Sequence, residues 1–280
     1  MKKYAVLSMD IEDWFHLDYF EKDKCDQTQS TLDGLDVYLE ILDRYNIKTT
    51  FFVVGEIVNQ LSGTLRKIID NGHEVALHSF SHRRPLTMSM EEYKEDTLKN
   101  IKVIRDALDY EVKGYRAPCF SMDRERLNIL EECNLRYDAS LIRFSSHNLY
   151  GKLDLKGFSN IKRDIFIKDD FFEFETSTVL IKNKNIPISG GGYLRIFPWF
   201  LTRFLLTKFF KEKKNYFFYI HPFEFSKNYR ITIPVGTPLA TRVRFNMGRK
   251  SVDQKMHRLI TMLQKNNYEF VRFQDLLNKN

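Results

Sequence analysis

The chain has 280 residues, 43% of them hydrophobic and 14% aromatic, which allows one large α/β domain or two small ones with a sizeable core. Its net charge of +7 suits an anionic substrate or membrane surface about as well as a solvated Lys-rich face, and no recognisable nucleic-acid motif accompanies it to argue for DNA or RNA. Cys25, Cys119 and Cys133 form no Cys-x-x-Cys pair and read as reduced thiols rather than a disulfide frame, and no apolar run is long enough to span a bilayer.

Lys3 to Asp10 reads as a first strand. The apolar run after Met-Lys-Lys ends at Met9, too short for the core of a signal peptide, so a cytoplasmic protein is expected. Leu32, Leu35, Tyr38, Leu39 and Leu42 recur at helical spacing, with Ser30 or Thr31 as cap. Lys48 to Gly55 is a β-branched and aromatic strand, followed by a helix from about Glu56 to Asn71 that stops at Asn71-Gly72. Glu74 to His78 is a third strand. Ser89-Met-Glu-Glu92 is a capping box for a helix running to about Leu108. Gly114 to Pro118 is a strand end, Asp123 to Cys133 a helix, and Leu135 to Ser140 a strand.

The second half is less regular. Phe171 to Lys182 reads as a strand or hairpin arm, Gly190-Gly191-Gly192 as a flexible loop, and Ile196 to Phe210 as a strongly apolar stretch. Tyr216 to Ile220 is a strand ending at His221-Pro222, Ser251 to Asn266 a helix, and Tyr268 to Phe273 a last strand. Strands alternating with helices indicate βαβ units in a parallel sheet or barrel. With no repeat or linker, residues 1–280 read as a single domain.

His78-Ser-Phe-Ser-His82 places two imidazoles four residues apart after a strand. One helical turn or a tight loop brings such a pair to one side, where neutral imidazoles can share a transition metal. Asp10-Ile-Glu12-Asp13 ends the first strand. Two His and one carboxylate leave coordination positions open, as a hydrolytic metal site requires. Asp10, His78, Arg116 and Asp138 all fall at strand ends, where βα folds gather their chemistry.

These motifs, spread from Ser8 to Phe273, resemble the polysaccharide deacetylases of the NodB-homology type, carbohydrate esterase family four. The chain is similar to the branch whose first motif reads Asp-x-Glu-Asp-Trp-Phe, which Gly190-Gly-Gly-Tyr-Leu-Arg195 and Gly248-Arg-Lys250 also resemble. The resemblance implies an α/β fold, a distorted (β/α) barrel of about seven parallel strands, one divalent metal expected to be Zn2+, and hydrolysis of an N-acetyl, less often O-acetyl, group on a sugar or glycan precursor. It implies His78 and His82 as ligands, with Glu12 as the third and Asp13 as its rival. It implies Asp10 as base, Arg116 as its holder, the backbone N–H of Cys119 as oxyanion donor, His221 as general acid, and Asp138 as the carboxylate that orients His221. The Cys119 thiol is expected to be filler. The alternatives are a hydrolase of a non-sugar linear or cyclic amide on the same fold, which the presence of Asp10 disfavours, and an inactive carbohydrate-binding relative, which the filled motifs disfavour.

His16, His73, His147 and His257 read as structural, and Trp14 and Phe15 serve either a sugar ring or the core. Ile196 to Phe210, with Arg203 and Lys208 inside it and Lys211, Lys213 and Lys214 beyond, reads as a helix buried on the barrel in preference to one lying on anionic lipid.

Overall fold

The structure is a computed structural model describing residues 2–144, 149–162, 164–212 and 214–278, so that His147 and Lys213 lie outside the described residues. In chain order the first half runs β1 (Lys3–Ile11), α1 (Asp33–Arg44), β2 (Thr50–Val53), α2 (Ser62–Asp70), β3 (Glu74–Leu77), α3 (Met90–Leu108), β4 (Gly114–Tyr115), α4 (Arg124–Glu132) and β5 (Tyr137–Ile142). The second half runs β6 (Ser159–Asn160), β7 (Ile165–Lys168), β8 (Phe171–Thr176), β9 (Thr178–Ile181), β10 (Lys184–Pro187), α5 (Gly191–Ile196), α6 (Trp199–Lys211), β11 (Tyr216–Ile220), α7 (Pro222–Phe225), α8 (Leu239–Asn246), α9 (Val252–Lys265) and β12 (Tyr268–Phe270).

The main sheet has the order β11-β1-β2-β3-β4-β5-β8-β7-β6, with β12 paired in parallel to the start of β1. Its first seven members are mutually parallel, and β7 and β6 add an antiparallel flap at one edge. The sheet curls into a distorted (β/α) barrel. The seam between β8 and β11 lacks a regular ladder. Ser177 bridges it instead: its N–H donates to the Phe217 carbonyl (3.2 Å), and its Oγ accepts the Phe217 N–H (2.9 Å). The Tyr219 N–H donates to the Ser189 carbonyl (2.9 Å) one step further along.

Period-two alternation sorts β1 into two faces. Ala5, Leu7, Met9 and Ile11 belong to the large apolar layer shared with the helices, whereas Tyr4 and Val6 join Phe52, Tyr137, Phe174, Phe217 and Phe273 in a second cluster. Ser8 and Asp10 continue the face of Tyr4 and Val6. The pleat alone therefore delivers Asp10 to the C-terminal end of the barrel interior, next to the aromatic core.

Several expected elements are relocated. Neither Ser30 nor Thr31 caps α1: Leu32 is the cap residue, and Thr31 gives both its N–H and its hydroxyl to Asp13. The helix expected from Glu56 begins only at Ser62, because Gly55–Ile57 forms a separate 3-10 turn packed on the His78–His82 loop. Phe171 to Lys182 splits into β8 and β9. The three glycines are no loose loop: Gly190 bridges Tyr219, and Gly191 starts α5 with both glycines buried. Helix α6 buries Thr202, Leu205, Leu206 and Phe209, while Phe200 and Phe204 on its other side remain exposed.

Candidate metal and catalytic site

The loop from His78 to His82 is not a helical turn. Ser79 and His82 both have positive φ (62° and 59°), a costly conformation for residues with a Cβ. Helix α3 holds it there. Asp96 Oδ2 accepts the Ser79 hydroxyl (3.0 Å) and the Phe80 N–H (2.9 Å), and Asn100 donates to the Ser79 carbonyl (2.8 Å). Asp96 and Asn100 lie four apart on one helical face, and sequence reading missed both because neither carries a motif.

His78 Nδ1 lies 2.8 Å from the backbone carbonyl of Arg116. A carbonyl only accepts, so Nδ1 carries the proton and Nε2 keeps its lone pair for the site. Burial pushes the His78 pKa down to about 4, against the pull of Asp10 and Glu12, which keeps that ring neutral at ordinary pH. Glu12 is fully buried, and its Oε2 sits 2.6 Å from His82 Nε2 without an aligned donor. Burial works to raise the Glu12 pKa, but His82, His221 and His78 outweigh it and draw it down to about 2. One ligand atom from each of Glu12, His78 and His82 falls within 4.8 Å of the others. A buried carboxylate oxygen without an aligned donor, facing the Nε2 lone pair of His78 and the Nε2 of His82, fits a divalent cation.

Asp13, the rival ligand, faces elsewhere. Its Oδ1 accepts the N–H groups of Trp14 and Thr31 and the Thr31 hydroxyl, each at 2.8 Å, and so caps the turn after β1. The Asp13 N–H in turn donates to His16 Nδ1 (3.0 Å), which gives His16 its structural role. Trp14 is fully buried with its indole N–H on the Gln29 carbonyl (2.8 Å), so it belongs to the core.

Beside the triad, Asp10 Oδ1 receives Arg116 Nη1 at 2.6 Å, with both side chains buried. Arg116 also donates to the Ser8 hydroxyl (2.8 Å) and the Ala139 carbonyl (3.2 Å), and its guanidinium lies 4.1 Å from the Phe52 ring centre. These contacts fix the Asp10 rotamer and compensate its charge. Across the site, Cys119 (φ 52°) presents a backbone N–H that donates to no acceptor among the described residues. Its thiol donates to Asp18 (3.0 Å), and burial together with Asp18 raises its pKa well above the usual thiol value, which makes it a poor nucleophile.

His221 closes the site at the end of β11. Its Nε2 is 3.5 Å from Glu12 Oε1, and its Nδ1 is 3.5 Å from Glu224 Oε2. The expected orienting carboxylate, Asp138, is not the one found there. Asp138 accepts the hydroxyl (2.7 Å) and N–H (3.1 Å) of Ser140, two residues on in its own strand, and it shares its buried surroundings with Glu173. Glu224 takes that place because Pro222–Phe225 folds back as a single helical turn, returning Oε2 to the His221 N–H (3.2 Å). Arg195 secures Glu224 from behind (3.1 Å). Burial works to lower the His221 pKa, but Glu224 and Glu12 prevail and raise it to about 9. The i, i+3 spacing of His221 and Glu224 was a legible signal; Asp18, Tyr19 and Tyr150 at the mouth offered none.

A cavity of about 290 Å³ opens over these groups, lined by Asp10, Glu12, His78, His82, Cys119 and His221. A second cavity of about 230 Å³ adjoins it past Tyr19, Tyr150, Tyr219 and Arg244. Together they offer a polar floor beneath aromatic walls, a setting suited to a sugar ring.

Fold and site thus define a (β/α) barrel with a centre of two histidines and one carboxylate at the C-terminal ends of its strands. Residues 29–137 match the polysaccharide deacetylase family model, and residues 140–278 match a domain of unknown function, DUF3473. The polysaccharide deacetylase match spans the segment that carries His78, His82 and Arg116. It is 28% identical over 109 residues to a peptidoglycan deacetylase of Helicobacter pylori, a stretch covering 39% of this chain and 37% of that protein. Its fold is similar to that of a Mycobacterium smegmatis protein assigned to the polysaccharide deacetylases (TM-score 0.60, 16% identity, 99% of this chain and 90% of that one). It is also similar to a family 4 acetyl xylan esterase from Clostridium thermocellum solved with a cobalt ion (TM-score 0.52, 14% identity, 98% and 91%).

Proposed function

We propose that this protein is a metal-dependent hydrolase that removes an N-acetyl group from a sugar in a polysaccharide or glycan precursor. The observation that carries the reading is the convergence of Glu12 Oε2, His78 and His82 beside the Asp10–Arg116 pair. Glu12, His78 and His82 would hold a divalent metal, expected to be zinc. Such an ion supplies Lewis acidity and lowers the pKa of a water from about 15.7 to roughly 7. The cobalt in the acetyl xylan esterase is in keeping with a metal in this fold.

Asp10, held in place by Arg116, takes the proton of the attacking water. The Cys119 N–H donates to the oxyanion that develops on the acetyl carbonyl. His221 gives its proton to the departing nitrogen. An amine leaving group needs that proton far more than a sugar alkoxide does, so a histidine held protonated by Glu224 favours the N-acetyl over the O-acetyl substrate. Tyr19 and Tyr150 border the space for the sugar ring.

The test is acetate release from N-acetylglucosamine oligomers, with metal content measured on the same samples. Asp10→Asn is expected to keep its metal and lose at least about a hundredfold in rate. His78→Ala is expected to lose both metal and activity, and chelation should abolish turnover until zinc is restored. An Asp10→Asn protein with wild-type turnover would sink the assignment.

A further inference from the structure

Val235, Leu239, Val243 and Met247 recur at intervals of four residues along and beside α8, and all four are exposed (97%, 76%, 46% and 46%). Leu239 and Val243 share one face of α8 as an apolar stripe, with Val235 in the preceding turn and Met247 at the helix end exposed beside it. On its inner side, α8 buries Phe245, stacked on Phe223 with ring centres 5.2 Å apart. Buried Arg195 collects the carbonyls of Arg244 (3.0 Å), Phe245 (3.3 Å) and Met247, so the C-terminal end of the helix is tied to the Glu224 that flanks His221. Arg242 locks the other end through the Pro234 and Thr237 carbonyls, at 3.0 Å each. The stripe is thus a fixed feature and not a frayed loop.

The segment that carries it has one sign of charge. Between Glu224 and Asp253 the chain has no acidic residue and six basic ones, Lys227, Arg230, Arg242, Arg244, Arg249 and Lys250. Lys227, Arg230, Arg244 and Lys250 are exposed. Thr241 and Arg244 of the same helix line the cavity above the candidate site. No helix among the described residues is long and apolar enough to cross a membrane.

We propose that this stripe docks the protein on an anionic lipid surface, with α8 lying in the interfacial plane and the mouth of the cavity held at the membrane. An apolar row framed by cations is the composition of a helix that lies on anionic lipid. A second copy of the chain is the poorer occupant, because it would bring the same unrelieved positive charge against itself. The docking rests on the surface alone; that a docked protein acts on a membrane-borne glycan rests on the reaction proposed above.

Sedimentation of the whole protein with vesicles of phosphatidylcholine, with and without phosphatidylglycerol, tests it. Binding is expected only to the anionic vesicles, and raised salt should weaken it at least about tenfold. The double variant Leu239→Ser/Val243→Ser should lower the partition coefficient at least about tenfold, with acetate release from a soluble oligomer and melting temperature unchanged. Should that variant melt early, Val235→Ser, on a side chain almost free of contacts, gives the same reading through a smaller loss. Absent binding, equal binding to neutral vesicles, or variants that bind like the wild type would each overturn the proposal. So would a wild type that ignores vesicles but self-associates through the stripe. Vesicle binding needs no turnover, so this idea and the deacetylase reading fail separately.

Discussion

Glu224 sets the pH at which His221 gives up its proton. If His221 acts as an acid, activity needs its protonated form and is lost as pH rises through its pKa, which Glu224 and Glu12 raise to about 9. Glu224→Gln removes one of those charges, so the alkaline limb of the rate profile should move to lower pH. Asp138→Asn should leave that limb in place, since Asp138 hydrogen-bonds Ser140. A pH–rate profile for each variant decides between the two carboxylates. The adjacent acids of the first motif part in the same way. Glu12→Gln should lose bound metal, whereas Asp13→Asn should keep it and lose about 1–3 kcal/mol of stability from its three donors. Metal content and thermal melts separate them. Parity explains the outcome, because residues two apart share a face and Glu12 follows Asp10 by two. The choice of Glu224 was harder to read, since it depends on how tightly the chain turns after Pro222.

Among the elements, the opening of α5 shows where local reading runs out. Three glycines in a row signal flexibility by composition, yet a Cβ at Gly191 would lie 1.7 Å from Glu224 Oε2, while one at Gly192 would meet nothing within 4 Å. Gly191→Ala is therefore expected to push Glu224 off His221, cutting turnover and shifting the alkaline limb as Glu224→Gln does. Gly192→Ala should behave as wild type in both measurements. The first-half helices were legible from their local apolar periodicity, and α3 also from its cap: Ser89 and Glu92 form the expected reciprocal box at its start. The shape of the His78–His82 loop was not legible, because Asp96 and Asn100 impose it from a helix that follows it in sequence.

At the scale of the molecule, the alternation of strand and helix made the barrel legible, but not the edge at which β8 joins β5 or the antiparallel flap beyond it, which depend on long-range pairing. The same assembly buries Asp164 beneath that flap. Its Oδ1 accepts from Asn215 (2.8 Å), and its Oδ2 has no hydrogen-bond partner among the described residues. Burial, with the nearby Glu175 adding to it, raises its pKa to about 8. A carboxyl with a raised folded-state pKa binds more protons folded than unfolded. Its contribution to stability is therefore full below about pH 4 and lost as pH rises toward 8. Asp164→Asn should raise the melting temperature at pH 8 by an amount equivalent to at least about 2 kcal/mol and change little at pH 4. Melts across that range provide the check.

The two matched family regions meet between residues 137 and 140, inside β5, at the centre of the continuous sheet. That seam between families is therefore no place to cut the protein. The upstream piece would carry the candidate base and ligands with a raw sheet edge, and the downstream piece would carry His221 and Glu224 without a barrel to complete. A split protein that regains activity on mixing should instead be broken at the exposed Lys182–Asn183 turn between β9 and β10, where both residues are left-handed and no main-sheet strand is severed. The two matched regions share one continuous sheet, and fragment complementation would show that neither half stands alone.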